Sequence, residues 1–167
     1  MTRTDTFGQL TDRIIIARLK AFHHRLSGRE SIAIVLDDEA SILTDAADEL
    51  LVAMQSGEEV PPPKRNTRFH DHAQVEADLP QRPATLWQAI DSLVACHSTY
   101  WRHQTTVNLA KVKLIHAEAC GEHGVDEANS QRRVMVDAQR RCDLMNQHRN
   151  QLIQWIDELL TSEALFK

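Results

Sequence analysis

The apolar positions of this chain fall on a seven-residue repeat through its last third. Between Asp126 and Leu160 there is no Pro or Gly, and two seams run side by side. One reads Ala128, Met135, Cys142, Arg149, Ile156; the other reads Gln131, Ala138, Met145, Leu152, Leu159. This pattern predicts a helix roughly 50 Å long at about 1.5 Å per residue, shaped to lie along another helix. Gln131 and Arg149 break the apolar rule.

Helical spacing recurs earlier. Phe7, Leu10, Ile14, Ala17, Phe22 and Leu26 predict a first helix from about Thr6 to Leu26, capped by Asp5 or Thr6 and stopped by Ser27-Gly28. Ile32, Val35/Leu36, Ile42/Leu43, Ala46/Ala47, Leu50 and Met54 predict a second helix from about Glu30 to Gln55, closed by Ser56-Gly57. A third starts after Pro83 and runs to about Ala119, with Leu86, Ile90, Leu93/Val94, His97, Tyr100/Trp101, Gln104, Val107/Asn108 and Leu114/Ile115 on its inner face. Cys120-Gly121 ends it, and the short connection to Val125 turns the fourth helix back antiparallel. Residues 57–83 have no sustained period, and the triple Pro at 61–63 favours an extended crossover. The expected fold is therefore all-α: an antiparallel bundle of four main helices, arranged as two hairpins joined by a long Pro-rich crossover loop, in a single domain spanning 1–167.

Composition supports this reading. Five Gly and five Pro in 167 residues leave little punctuation for many short strands. A net charge of −5 argues against a general nucleic-acid binder, and no apolar run, Ile14–Ala17 included, exceeds five residues, far below the roughly 20 residues of a membrane span. The start of the chain lacks the apolar core of a signal peptide. Three cysteines without a C-x-x-C pair read as reduced thiols of a cytoplasmic protein. Charge is divided unevenly. Residues 1–29 carry six Lys/Arg against two Asp, whereas the second helix carries Glu30, Asp37, Asp38, Glu39, Asp45, Asp48 and Glu49 and no Lys or Arg. Complementary rims of this kind help to set a hairpin.

The feature with chemical content is a polar belt. If the third and fourth helices fold back near residue 123, Arg149 faces His97, Asn146 faces Tyr100, and Cys142 faces Gln104, with Gln147, Asn150 and His103 within a turn. A guanidinium on a seam needs a carboxylate, carbonyls, water or an anion; Asp12 and Asp91 are the protein partners at hand. The belt either fixes helix register or lines a pocket for a small anionic ligand. Metal chemistry has thinner support. His116, Cys120 and His123 cluster at a helix end without a second ligand pair at standard spacing, and His70-Asp71-His72 reads as solvated loop. Glu-x-x-His, the signature of di-iron bundles, is absent, as are the glycine-rich phosphate and dinucleotide motifs, so no cofactor is implied. Lys64, Arg65, Arg68 and Phe69 form a small basic and aromatic patch.

Three stretches, FGQLTDRIIIARLKAFH, TLWQAIDSLVACHS and RRCDLMNQHRNQLIQWIDELL, resemble a family of all-helical bacterial proteins of unknown function. The positions that carry the resemblance are Gly8, Leu10, Asp12, Arg13, Lys20, Leu86, Trp87, Asn146, Arg149, Asn150 and Asp157. The family carries an acidic pair after its Leu-Trp, where this chain has Ala89, Ile90 and Asp91. The resemblance implies a helical fold and a gene setting beside cell-envelope glycosyltransferases. The leading expectation is a non-enzymatic binding or assembly protein that self-associates as a dimer or takes a protein partner. The alternative is a bundle enzyme acting on an anionic or sugar-phosphate molecule, with Arg149 as clamp, His97 or His103 as acid/base, and Asn146 and Asn150 orienting the substrate.

Overall fold

The computed structural model describes residues 5–57 and 81–162. Among them are four long helices and no strand: α1 (Phe7–Leu26), α2 (Glu30–Gln55), α3 (Leu86–Ala119) and α4 (Val125–Thr161). A single 3-10 turn, Gly121–Gly124, joins α3 to α4. The all-α expectation holds, and the helix limits fall close to those read from the periodicity. The cluster Lys64, Arg65, Arg68 and Phe69, the triplet His70-Asp71-His72 and most of the Pro-rich crossover lie outside the described residues.

The described residues group into two compact units. The first holds the chain up to Ala95 together with Arg149 onward; the second is Cys96–His148.

In the first unit, α1 opens on a capping box. The Thr6 hydroxyl accepts from the Gln9 N–H at 3.3 Å, and the Thr6 N–H donates to Gln9 Oε1 at 3.0 Å. Two otherwise unpaired donors of the first turn are satisfied in this way. The glycines expected to end the helices, Gly28, Gly57 and Gly121, all sit at positive φ (70°, 76° and 62°), where a side chain would be strained. α1 packs against α2. Their shared core is Leu10, Leu43, Ala47 and Leu50, with Phe7, Ile14, Ala46 and Met54 around it. At the rim Arg18 reaches Asp37 at 3.3 Å and Arg25 reaches Glu30 at 3.2 Å, and Arg25 also binds Asp37. The Arg25 hydrogen bond holds the Asp37 carboxyl below the usual carboxylate range. Exposed pairs such as these orient a hairpin more than they stabilise it.

The buried face of α2 keeps the expected Leu43, Ala47 and Leu50 but turns several of the larger aliphatics outward. Ala33, Ala40, Leu43, Ala47, Leu50 and Ala53 are buried, while Ile32, Val35 and Ile42 are exposed. The expected ends of the α1 stripe, Phe22 and Leu26, are exposed as well, whereas Ala17 and Ala21 are buried. α2 is apolar on more than one side, and the face it buries is the one with small side chains. Alanines let helix axes approach closely, so backbone and Cβ atoms gain dispersion contacts that bulkier residues would prevent.

The second unit is the part of the α3–α4 hairpin from Cys96 to His148. Val107, Ala138 and Cys142 form its core, with Tyr100 and Met135 against it. Cys142 Sγ lies 3.9 Å from Gln104 Oε1, as the fold-back register predicts. Cys96 Sγ donates to the Met145 carbonyl at 3.1 Å, and Arg132 binds Glu118 at 2.7 Å. Ile115, expected inside, is exposed.

Because Ala40 is fully buried, enlarging it tests the close approach of the helices. Ala40→Leu is expected to cost about 1–3 kcal/mol. The readout is a lower urea midpoint with the slope of the transition unchanged.

Candidate functional site

The polar residues of the first unit concentrate where α4 meets α1. Arg149 stands on a seam position of α4, so the helix turns its side chain toward α1. There its Nε donates to Asp12 Oδ1 at 2.7 Å, and its Nη2 donates to Asp12 Oδ2. This is the two-pronged pairing in which a planar guanidinium matches a carboxylate. Burial is unequal: the Asp12 side chain is 3% exposed and that of Arg149 33%. The anion is thus removed from water, while its cation keeps an edge in solvent. Of the two carboxylates named from the sequence, Asp12 takes the role. Asp91 is exposed.

Two turns further along α4 the arrangement is repeated in reverse. Asp157, also buried, accepts from the Gly8 N–H at 2.6 Å and from the Thr6 hydroxyl. Those donors belong to the first turn of α1, where the helix dipole favours an anion. Position 8 must be glycine for the helices to come this close. A Cβ there would lie 2.5 Å from the Ile153 carbonyl oxygen and 2.9 Å from Asp157 Oδ1. Burial pushes the Asp157 carboxyl above its usual range, and the bonds from Thr6 and Gly8 pull the other way without cancelling it.

No protein-family model, curated protein or solved structure matches the chain.

The remaining belt residues lie in different places. Asn150 is half-buried in the first unit; His97, Tyr100, His103 and Asn146 belong to the second. Tyr100 hydroxyl donates to Gln104 Oε1 at 3.4 Å, and His97 is buried with interactions of its own. Among the described residues, Gln147 Oε1 and His148 Nε2 are shut from solvent and have no hydrogen-bond partner. His116, Cys120 and His123 are exposed, and among the described residues no group of three such side chains is placed to hold a metal ion. At the tip of the hairpin Ala117, Gly121, Gly124, Val125 and Ala128 line a recess of about 210 Å³, edged by Glu118 and Arg132. That is below the roughly 300 Å³ at which small-molecule sites begin, and the two charged groups at its edge are bonded to each other.

The structure therefore joins Asp12 to Arg149, which the sequence reading anticipated, and Asp157 to Gly8 and Thr6, which it did not. The available signal was a glycine inside a helical pattern, which often marks a close backbone approach.

Unequal burial decides which half of the ion pair matters more. Arg149→Ala strips the buried carboxylate of this cation and is expected to cost about 3 kcal/mol or more. Asp12→Ala leaves a cation that can turn to water and should cost less. The double replacement Asp12→Leu/Arg149→Met is expected to recover most of the loss, all three read by urea denaturation.

For Asp157 the sign follows from the raised value. The native state holds this proton more tightly than the unfolded chain, so its contribution is full below the unfolded carboxylate range and declines as pH rises through the native value. Measured between pH 4 and 7, the stability of the wild type should fall relative to Asp157→Asn, whose amide oxygen still accepts from Gly8. A gap that stays constant over that window contradicts this assignment.

Proposed function

We propose that this is a non-enzymatic binding and assembly protein that acts as a dimer in the cytoplasm, in the setting of cell-envelope glycan synthesis. The observation that carries the reading is the closure of Arg149 on Asp12. An anion clamp keeps the donor fork of its guanidinium open to the ligand. Here two of the donors are committed to a carboxylate from another helix, so the pair sets which residues of α1 and α4 lie side by side. A buried polar pair in a helical bundle is best attested in that role. The other chemistry-bearing side chains fit the same account. Cys96 is bound to a main-chain carbonyl, Tyr100 to Gln104, and Arg132 to Glu118. Three free thiols agree with a reducing compartment. The envelope setting rests on the resemblance carried by Gly8, Asp12, Arg149 and Asp157, and those four residues supply the α1–α4 contacts described above.

Sedimentation velocity over about 1 to 100 µM, the range of reversible associations, is expected to show a shift from monomer to dimer. The same protein should show no rise in melting temperature with inorganic phosphate or a sugar phosphate, because a ligand at 100 times its Kd would add about 2.7 kcal/mol. A strict monomer, or a phosphate-dependent rise that Arg149→Lys abolishes, would favour the enzyme reading instead.

A further inference from the structure

Opposite its buried face, α2 carries a second seam. The buried Ala33, Ala40 and Ala47 repeat every seven residues. About half a turn round the helix, another heptad pattern runs Ser31, Val35, Asp38, Ile42, Asp45, Glu49, Val52, in alternating steps of four and three. Every residue of this outer seam is exposed, with Val35 at 66%, Ile42 at 68% and Val52 at 64%. Its carboxylates are also unanswered. The ion pairs from α1 end on Glu30 and Asp37, and among the described residues no cation pairs with Asp38, Asp45 or Glu49. Asp45 and Glu49, one turn apart, repel each other. Single exposed aliphatics are ordinary, but aliphatics and open carboxylates sharing one exposed seam mark a surface for a partner of opposite charge.

We propose that this seam docks an amphipathic helix of another protein, with Lys or Arg where it meets Asp38 and Asp45 and aliphatics where it meets Val35 and Ile42. The inference rests on the reading of the chain as a binding and assembly protein and names the chemistry of what it binds. Charge selects the occupant. Pairing of the seam with its own copy is disfavoured in either direction. Antiparallel pairing about Ile42 sets Asp38 against Asp45 and Val35 against Glu49, and parallel pairing sets each carboxylate against its counterpart. Nucleic acid and anionic lipid carry the same sign as the seam. A basic helix answers both halves of the pattern. Its aliphatics cover Val35, Ile42 and Val52, and its cations meet carboxylates that α2, with no Lys or Arg of its own, leaves open.

The seam is long enough for such a contact. From Ser31 to Val52 it runs about 32 Å, the length of roughly three heptads, so a partner helix binds through repeated layers. The cost of the bare surface points the same way. A Glu49→Lys replacement would turn a repulsive pair into an attractive one, yet the chain carries carboxylates at both positions. Because the acids are exposed, their attraction is screened beyond about 8 Å at physiological ionic strength. Binding is therefore sensitive to salt.

The probe is a synthetic peptide of about three heptads, with Leu at one seam position, Lys at the other and Ala elsewhere. Its controls are a scrambled peptide of the same composition and one with Glu in place of Lys. In fluorescence anisotropy the full-length wild type is expected to bind the probe at least about tenfold more tightly than either control. Asp38→Lys/Asp45→Lys, checked for helicity by circular dichroism, is expected to lose that preference and to take the Glu peptide instead. Equal binding of the scrambled peptide, or an unchanged preference in the charge-reversed variant, overturns the inference. Sedimentation of the same two proteins separates the other outcomes. A dimer lost on charge reversal means that a second copy occupies the seam, which overturns the assignment to another protein. A wild type that dimerises and ignores the probe overturns this inference alone, whereas one that neither dimerises nor binds overturns the assembly reading with it.

Discussion

The first unit depends on two buried carboxylates that face in opposite directions across one helix contact. Asp12 on α1 is answered by the guanidinium of Arg149 on α4, and Asp157 on α4 is answered by the Gly8 N–H and the Thr6 hydroxyl at the start of α1. Each helix thus supplies one anion and receives one. The spacing is consistent with antiparallel helices. Gly8 and Asp12 are one turn apart, about 6 Å, and Arg149 and Asp157 are two turns apart, about 12 Å. A long arginine side chain lying along the helix makes up the difference, a reach that a shorter or branched cation donor would lack.

An apolar contact alone would leave this arrangement loosely determined. The core between α1 and α2 is built from Leu10, Leu43, Ala47 and Leu50, with other alanines buried nearby. A slip of one turn along such a surface exchanges one aliphatic neighbour for another at small cost. The same slip along α4 would move Asp12 away from Arg149 and Asp157 away from the first turn of α1. Each carboxylate would then be buried without its donors, a penalty of several kcal/mol apiece. The polar contacts add little to net stability relative to well-packed aliphatics, but they separate the native register from its neighbours. Gly8 tightens the requirement, since the approach that lets Asp157 reach the backbone leaves no room for a Cβ.

Much of this was legible in the residues. The α4 seam was readable because its pattern is long and unbroken, and Ala128, Ala138, Cys142, Leu152 and Ile156 are buried as the heptad requires. Arg149 announced itself as a cation on an apolar seam, with Asp12 and Asp91 as the carboxylates at hand. Asp157 gave no such signal, because its partners are a main-chain N–H and a capping hydroxyl, groups that every helix start carries. On α2 the expected Leu43, Ala47 and Leu50 are buried, but Ile32, Val35 and Ile42 are exposed, for a different reason. Hydrophobicity ranks Ile32, Val35 and Ile42 above Ala33 and Ala40, whereas helix packing there favours small residues. Transfer free energy measures what prefers to leave water; it does not measure how closely two helices can come together.

That distinction bears on the aliphatics left outside. A helix of a two-helix hairpin needs one apolar stripe, and the inner stripe of α3 in the second unit meets that need with Val107 packed on Ala138 and Cys142. Helix propensity does not account for the exposed Val112 and Ile115, because β-branched residues are poorer helix formers than the Lys, Glu or Ala that an exposed face would otherwise carry. Each exposed aliphatic also adds apolar surface in water and favours nonspecific association unless something specific covers it.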